Sequence, residues 1–340
     1  GDLGFCDAYL DEWWTTPDLQ AFMDWVHADN EGIYDGFPGM SLVRNFEKFR
    51  FWMQRNHRAQ AKKNISYHYD LGNDFYGLWL DDTMTYSSAL FKTGQESHEA
   101  AQIAKYASMV DQMGVQPGDH ILEIGCGWGG FAEYAAQERG LRVTGLTISE
   151  QQIEYARERI KKAGLSDLVN FKLQDYRDER GVYDGIASIE MFEAVGQKYW
   201  PDYFKTVRER LKPGKNATLQ IITVTDSRWD VYQRGVDFIQ KYIFPGGMLP
   251  SPEKLNNAVD LPAGPKRPAR AAASRGADPH RLRPPLALGR VFHRIDLGVT
   301  GVDQPELFPA IAQTAHPAAD NRGRVDLVRR EKGIAIGCHD

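Results

Sequence analysis

Cysteine is scarce. Cys6, Cys126 and Cys338 are the three in a chain of 340 residues, and they lie far apart. That excludes a disulfide framework and a zinc-ligand spacing, and it suits a reducing compartment, so a cytoplasmic chain is expected. No apolar run approaches the roughly 20 residues of a membrane span. The opening Gly1-Asp-Leu-Gly-Phe-Cys-Asp-Ala-Tyr9 is acidic and lacks a signal-peptide pattern. It also lacks a starting Met, so a fragment is expected at that end. A basic excess is missing too: the formal net charge is −5, and no overall balance points to nucleic acid. There is no internal repeat. What remains is a chain with 42% hydrophobic residues, enough for a sizeable core in one large domain or two.

The centre of the chain is His120-Ile-Leu-Glu-Ile-Gly-Cys-Gly-Trp-Gly-Gly130. Ile121 to Ile124 reads as a buried strand, the glycines as a turn, and Phe131 onward as a helix. Strand, glycine turn and helix open a nucleotide-binding βαβ unit. Glycine there permits backbone angles strained for other residues and lets a ligand approach the main chain, while the helix start offers free N–H groups. Gly125, Gly127 and Gly130 also fit the dinucleotide fingerprint, which wants an acid about 20 residues on. The second strand, Leu141 to Thr147, ends in threonine instead. The acid is Glu123, just before the first glycine. Glu-x-Gly-x-Gly-x-Gly, through Gly125, Gly127 and Gly129, is the pattern of S-adenosylmethionine (SAM) enzymes.

Around this centre the elements alternate. Ser97 caps a helix running to about Met113. Ser149 with Gln152 makes a capping box for a helix that Gly164 ends. Strands follow at 168–173, 183–188 and 217–224, with a helix at 199–211 and another near 231–242. Alternation implies a mostly parallel sheet covered on both faces, with ligands at the carboxyl ends of its strands. Cys126, Thr147, Asp175, Tyr176, Glu190 and Glu193 fall there. Before this core, residues 1–95 carry five of the eight tryptophans, and Thr16-Pro17-Asp18 reads as a helix start with Thr16 as cap. A helix at 40–63 has one apolar face and a basic complement that includes Arg44, Lys48, Arg55 and Arg58. It reads as an ordinary solvated face or, somewhat less readily, as a surface for anionic lipid headgroups. Tyr67-His-Tyr-Asp-Leu-Gly-Asn-Asp-Phe-Tyr76 is either a polar cluster or a ligand loop.

Together, Tyr67–Tyr76, Thr85-Tyr-Ser87, Leu122–Gly130, Gly145-Leu-Thr-Ile-Ser149, Gln174-Asp-Tyr-Arg-Asp178, Met191-Phe-Glu-Ala-Val-Gly196 and Lys241-Tyr-Ile-Phe-Pro-Gly-Gly-Met-Leu-Pro-Ser251 resemble the cyclopropane-fatty-acyl-phospholipid synthases, which include the mycolic acid cyclopropane synthases. The likeness covers roughly residues 1–255. It implies a Rossmann-like α/β class I SAM methyltransferase core at 96–255, beneath an N-terminal helical cover at 1–95 that forms the acyl pocket. It also implies that Tyr86 and Ser87 close over SAM, that Glu123 to Gly129 cradle its methionine part, that Thr147 to Gln152 meet the ribose side, and that Asp175 and Tyr176 meet the adenine. The implied chemistry is methyl transfer to a cis double bond of a phospholipid acyl chain, followed by proton loss and ring closure. The substrate would be met at the inner membrane surface, and a homodimer is compatible. The family's base is a bound bicarbonate, and Cys126, through its backbone, and Glu193 match two of its holders.

Two departures stand out. Gln220 occupies the fifth-strand place where the family has His; it can hydrogen-bond bicarbonate but cannot carry a proton as His can. A methylated or methylene product therefore stays open. So do a small-molecule methyltransferase and a SAM-binding remnant without turnover. Nucleic-acid methylation is disfavoured, because Ile189-Glu-Met-Phe192 stands where amino-methylating enzymes carry Asn/Asp-Pro-Pro-Tyr. The second departure is the tail. Residues 256–340 are rich in Pro, Arg and Ala, and the family's late Tyr and Cys have no counterpart there. The tail is expected to pack loosely and to lack the last strands, as a shifted reading frame in a GC-rich gene would make it; a divergent C-terminal arm is the alternative.

Overall fold

The computed structural model of the protein describes residues 2–28, Asn56, Gln60, Ala61, Asn64, residues 72–259, and three strands of the tail. Most of the basic 40–63 stretch and the Tyr67–Asp70 segment lie outside the described residues.

The N-terminal part begins with α1 (Asp2–Leu10) and α2 (Leu19–Ala28). Thr16 was expected to cap α2. The helix instead starts at Leu19, two residues beyond the expected first position, and the Asp18 carboxylate accepts the Ala21 N–H at 2.9 Å. A carboxylate is as good a cap as a hydroxyl and also answers the helix dipole. A single turn, α3 (Asn73–Tyr76), precedes α4 (His98–Met113). Ser97 caps α4 as expected, accepting from Ala100 N–H at 3.2 Å, and Gly114 closes it in the left-handed region.

The core is one sheet in the order β3-β2-β1-β4-β5-β6. Its strands are β1 (His120–Ile124), β2 (Arg142–Thr147), β3 (Val169–Leu173), β4 (Tyr183–Ile189), β5 (Leu211–Ile222) and β6 (Arg290–Ile295). The first five pair in parallel, and β6 runs antiparallel along β5. Helices α5 (Gly130–Gln137), α6 (Glu150–Lys162) and α7 (Trp200–Arg210) are the crossovers. Alternation within β1 serves both faces. Ile121 joins a cluster with Met109 of α4, Phe131 and Ala135 of α5, and Ile153 of α6. Leu122 and Ile124 join Phe204 and Val207 of α7 on the other face. The order reverses between β1 and β4, and the carboxyl ends of those two strands open the crevice that such sheets give to ligands.

Three further expectations differ from what forms. The Lys212-Pro-Gly214 turn does not separate helix from strand; it is carried inside β5 as a register shift against β4. The helix expected at 231–242 is broken into α8 (Asp226–Tyr232) and a π-turn at Ile239–Ile243. The Asp237 carboxylate restarts the chain there by accepting Gln240 N–H at 2.7 Å. After α9 (Pro252–Val259) the tail was expected to add no strand. It supplies β6, and also β7 (Arg324–Arg330) and β8 (Gly333–His339), which form a separate two-stranded antiparallel sheet. Strand pairing uses main-chain groups that every residue but proline carries, so an open edge such as β5 accepts segments of very different sequence.

Candidate active site

The turn between β1 and α5 enters the left-handed side of backbone space at every second residue, with Gly125, Gly127 and Gly129 at φ 83°, 50° and 86°. Two of these positions are also short of room. A Cβ on Gly125 would lie 2.7 Å from Met191 Cγ, and one on Gly129 would lie 3.1 Å from both Ala156 and Phe171. Gly127 differs: a Cβ there would meet nothing within 4 Å. It would project into open space, which is what a turn facing a ligand shows. The N–H groups of Gly125 and Cys126 both donate to Leu146 O, at 3.0 and 2.9 Å, which ties the turn to the end of β2.

This turn floors an open cavity of about 1240 Å³ counting its mouth. Ten of the residues singled out from sequence line it: Tyr86, Ser87, Glu123, Gly125, Cys126, Gly127, Thr147, Gln152, Asp175 and Tyr176. Gly129 is packed behind the floor as the N-cap of α5. Thr147 Oγ1 donates to Gln152 Oε1 at 2.8 Å and accepts Ser149 N–H at 3.1 Å. The capping box is thus half made: Ser149 Oγ accepts Gln152 N–H, while the Gln152 side chain turns to Thr147. The Asp175 carboxylate is held on both oxygens by Arg177, with Nε at 2.8 Å from Oδ1.

Glu123 is 2% exposed, and its Oε2 has no hydrogen-bond partner among the described residues. Burial pushes its carboxyl up to about 8, partly offset by the Lys105 ammonium. An unpartnered buried acceptor is costly, by about 1–3 kcal/mol or more, unless a ligand completes it. Burial also raises the Cys126 thiol well above its ordinary value, so the sulfur stays protonated.

The segment 83–88 closes the cavity from above, and α4 holds it in place. Gln102 Nε2 donates to Ser87 O at 2.8 Å, and Lys105 Nζ donates to Ser87 Oγ at 2.7 Å. Both side chains are wholly buried. Arg159 of α6 donates to Thr83 O at 2.7 Å and pairs with Glu133 at 2.9 Å. Trp128 Nε1 donates to Asn73 Oδ1 at 2.7 Å. The end of the Tyr67–Tyr76 segment is thereby pinned to the glycine turn, within an aromatic group of Tyr76, Trp79, Tyr86 and Trp128. Sequence reading missed Gln102 and Lys105. Their signal was two polar residues three apart on the face of α4 that otherwise carries Ala101, Tyr106 and Met109.

Glu193 and Gln220 do not line the cavity. Glu193 Oε1 accepts Ile222 N–H, and its carbonyl accepts Met248 N–H at 2.8 Å, so it locks the Phe244–Met248 loop against β5. Its Oε2 is buried without a partner among the described residues, and burial pushes the carboxyl up to about 8. Gln220 Nε2 donates to Ser88 O at 3.2 Å, to Ser88 Oγ at 2.6 Å and to Glu190 Oε1 at 2.9 Å. Glu190, noted from sequence at the strand ends but given no role, does line the cavity. Beyond it the wall is apolar, with Met191, Ala194, Val195 and Phe244.

Residues 56–262 match the family model described as mycolic acid cyclopropane synthetase. The chain is 38% identical over 265 residues to a tuberculostearic acid methyltransferase of Mycobacterium tuberculosis, covering 75% of this chain and 61% of that protein. It is 37% identical over 261 residues to the cyclopropane-fatty-acyl-phospholipid synthase of Escherichia coli strain K12, covering 75% and 64%. The chain therefore spans less than two thirds of the length of these relatives. Among solved structures, a cyclopropane synthase of Mycobacterium tuberculosis aligns at 30% identity and TM-score 0.54 over 58% of this chain and 72% of that one. A mycolic acid cyclopropane synthase complexed with SAH and CTAB aligns at the same identity and TM-score over 58% and 73%.

Proposed function

Because the chain belongs to the mycolic acid cyclopropane synthetase family, we propose that it is a SAM-dependent methyltransferase that modifies the cis double bond of an unsaturated phospholipid acyl chain, closing a cyclopropane ring. One observation carries the reading. A glycine turn with an unpartnered buried acid and an apolar wall of Met191, Ala194, Val195 and Phe244 meet in a single cavity. The residues fit the cofactor. Among the described residues Glu123 Oε2 lacks a partner, which an ammonium group would supply, and Gly127 leaves open the space a side chain would fill.

When bound, SAM supplies an electrophilic methyl group on a sulfonium. The chain's own part is to orient and to exclude water, because an alkene is a weak nucleophile and needs a dry, aligned approach. Glu123 anchors the amino-acid end, and the strap at Tyr86 and Ser87, held by Gln102 and Lys105, covers it. Thr147 and Gln152 meet the ribose side, and Asp175 and Tyr176 the adenine. Tyr86, Trp128 and Phe244 line the cavity, and aromatic rings can stabilise positive charge that develops on the acyl chain. Glu193 braces the loop that carries Phe244, and Gln220 orients Glu190 from behind the wall.

Bicarbonate fits poorly. The donors that would hold it are already committed: Cys126 N–H to Leu146 O, Ile222 N–H to Glu193, and the Gln220 amide to Ser88 and Glu190. Of the atoms left over, Gln220 Oε1 only accepts, and Glu193 Oε2, on a carboxyl that burial pushes up to about 8, offers at most one donor.

A methyl- or methylene-branched product is the second reading, favoured by Gln220 in place of the family's His. Contact with a membrane surface is supported by Trp13 and Trp25, 80% and 59% exposed; no helix among the described residues is long and apolar enough to cross a membrane. Residues 1–95 serve as the cover, 96–255 as the catalytic core, and the tail from 256 is read in a shifted frame, a reading supported by the end of the family match at residue 262. Mass spectrometry of host lipids with and without expression tests the activity. Unsaturated phospholipids should gain one CH2, fragmentation should separate ring from branch, and calorimetry should show SAH binding with NAD silent. Unchanged lipids together with turnover on a small-molecule panel would replace the lipid reading.

A further inference from the structure

We infer that Glu190 is the proton acceptor of the reaction, in the place the family gives to bicarbonate. The inference rests on the lipid-methylation reading above.

Among the described residues three carboxylates line the cavity, and two are otherwise engaged. Glu123 lies beneath the glycine turn on the Lys105 side, and Asp175 is held on both oxygens by Arg177. Glu190 accepts from Ser88 N–H at 3.0 Å, from Ser88 Oγ and from Gln220 Nε2 at 2.9 Å, and all three bonds fall on Oε1. Oε2 takes part in none of them. The side chain is therefore oriented by three donors with one oxygen to spare, as a positioned base requires. Its backbone points the same way. Glu190 sits at φ 44°, a left-handed conformation that glycine or asparagine adopts more cheaply. Strain of this kind at a strand end in a ligand cleft is characteristic of sites where the side chain is used. The next residue, Met191, packs against Gly125 of the turn. Glu190 thus stands between the turn and the apolar wall.

The step balances between the substrate, the methyl donor and this residue. The alkene's π pair bonds to the methyl carbon as that carbon's bond to the sulfonium sulfur breaks, its pair staying on the departing thioether, and one C–H bond of the methyl then breaks. Its electron pair forms the bond to the electron-deficient neighbouring carbon and closes the ring. The proton goes to Glu190 Oε2 and leaves by the cavity mouth. Gln220 acts through Glu190 as a positioning residue, so an amide there is an adequate replacement for histidine.

The test uses the full chain and three preparations: wild type, Glu190→Gln and Glu190→Asp. Wild-type turnover on unsaturated phospholipid vesicles should stay within about twofold when bicarbonate is stripped from the buffer, and Glu190→Gln should lower it by about 100-fold or more without rescue by added bicarbonate. SAH affinity should be unchanged in both variants, Glu190→Asp should keep measurable turnover, and labelled bicarbonate should show no line broadening on adding the protein. Wild-type turnover that vanishes without bicarbonate and returns with it overturns the inference. So does a Glu190→Gln enzyme with turnover close to wild type, or equal loss of SAH binding and turnover in both variants. A wild type that binds SAH but makes no lipid product sinks the lipid reading itself, and this inference with it.

Discussion

Glu123 carries two conflicting demands: it is buried away from water, yet it faces a cavity that wants its charge. With its carboxyl pushed up to about 8 in the absence of ligand, it is mostly protonated at neutral pH. A cofactor ammonium beside it favours the ionised form, so binding should expel close to one proton. SAH affinity should therefore rise from pH 6 toward 8. Calorimetry in two buffers of different ionisation enthalpy would show it; a binding heat independent of buffer would remove Glu123 from the cofactor site. Gly127→Val should abolish binding altogether, since the branched side chain fills the space now open. Glu193 makes a different prediction, about stability. Its folded-state carboxyl is raised from 4.5 to about 8 by burial, so between those values the folded state binds more protons than the unfolded one. Stability then falls as pH rises through that window and levels off above it. Glu193→Gln should flatten this part of the Tm-against-pH curve while leaving SAH affinity nearly intact. At this scale the sequence was legible where a motif fixes geometry, as at Glu123 and the glycines. It was less so at Glu190, whose three donors come from residues 88 and 220, distant in the chain.

The elements that mattered were legible when their ends carried chemistry. Ser97 marked the start of α4, and buried apolar runs marked β1 and β4. What could not be read was the inward polar face of α4, because periodicity reports burial and not what the buried atom touches. Gln102 and Lys105 look like errors in an apolar stripe until the strap at 83–88 is seen above them. Lys105→Met, close in volume and uncharged, should leave α4 folded but release Ser87 and remove the cation that offsets the burial of Glu123. A lost charge-assisted bond of this sort is commonly worth about 1.5–3 kcal/mol, so SAH affinity should drop by about tenfold or more. Circular dichroism with SAH titration checks both halves; unchanged affinity would reduce Lys105 to a packing residue.

At the scale of the whole molecule, the tail is the part that composition described better than pattern did. Pro, Arg and Ala content set residues 256–340 apart, but it did not reveal that 290–295 would extend the sheet. The nucleotide sequence settles the origin of the tail. Translation of the other two frames downstream of Leu255 should recover a Tyr-Ala-x-Thr-Leu-like segment, and restoring that frame should raise turnover. If neither frame contains it and limited proteolysis leaves the tail uncut, the tail is a genuine arm. The pairing of β1 with β4 bears on how the protein comes to be active at all. Ile121 sits beside Gly185 and Glu123 beside Ala187, so the two sides of the crevice are made by strands more than sixty residues apart. Parallel contacts between distant segments are slow to form, because the loop between them must first be ordered. The complete crevice therefore exists only once both strands are in place. Cofactor binding would thus act as a report that folding has finished, and a ligand that recognises only the finished sheet would hold it there by mass action.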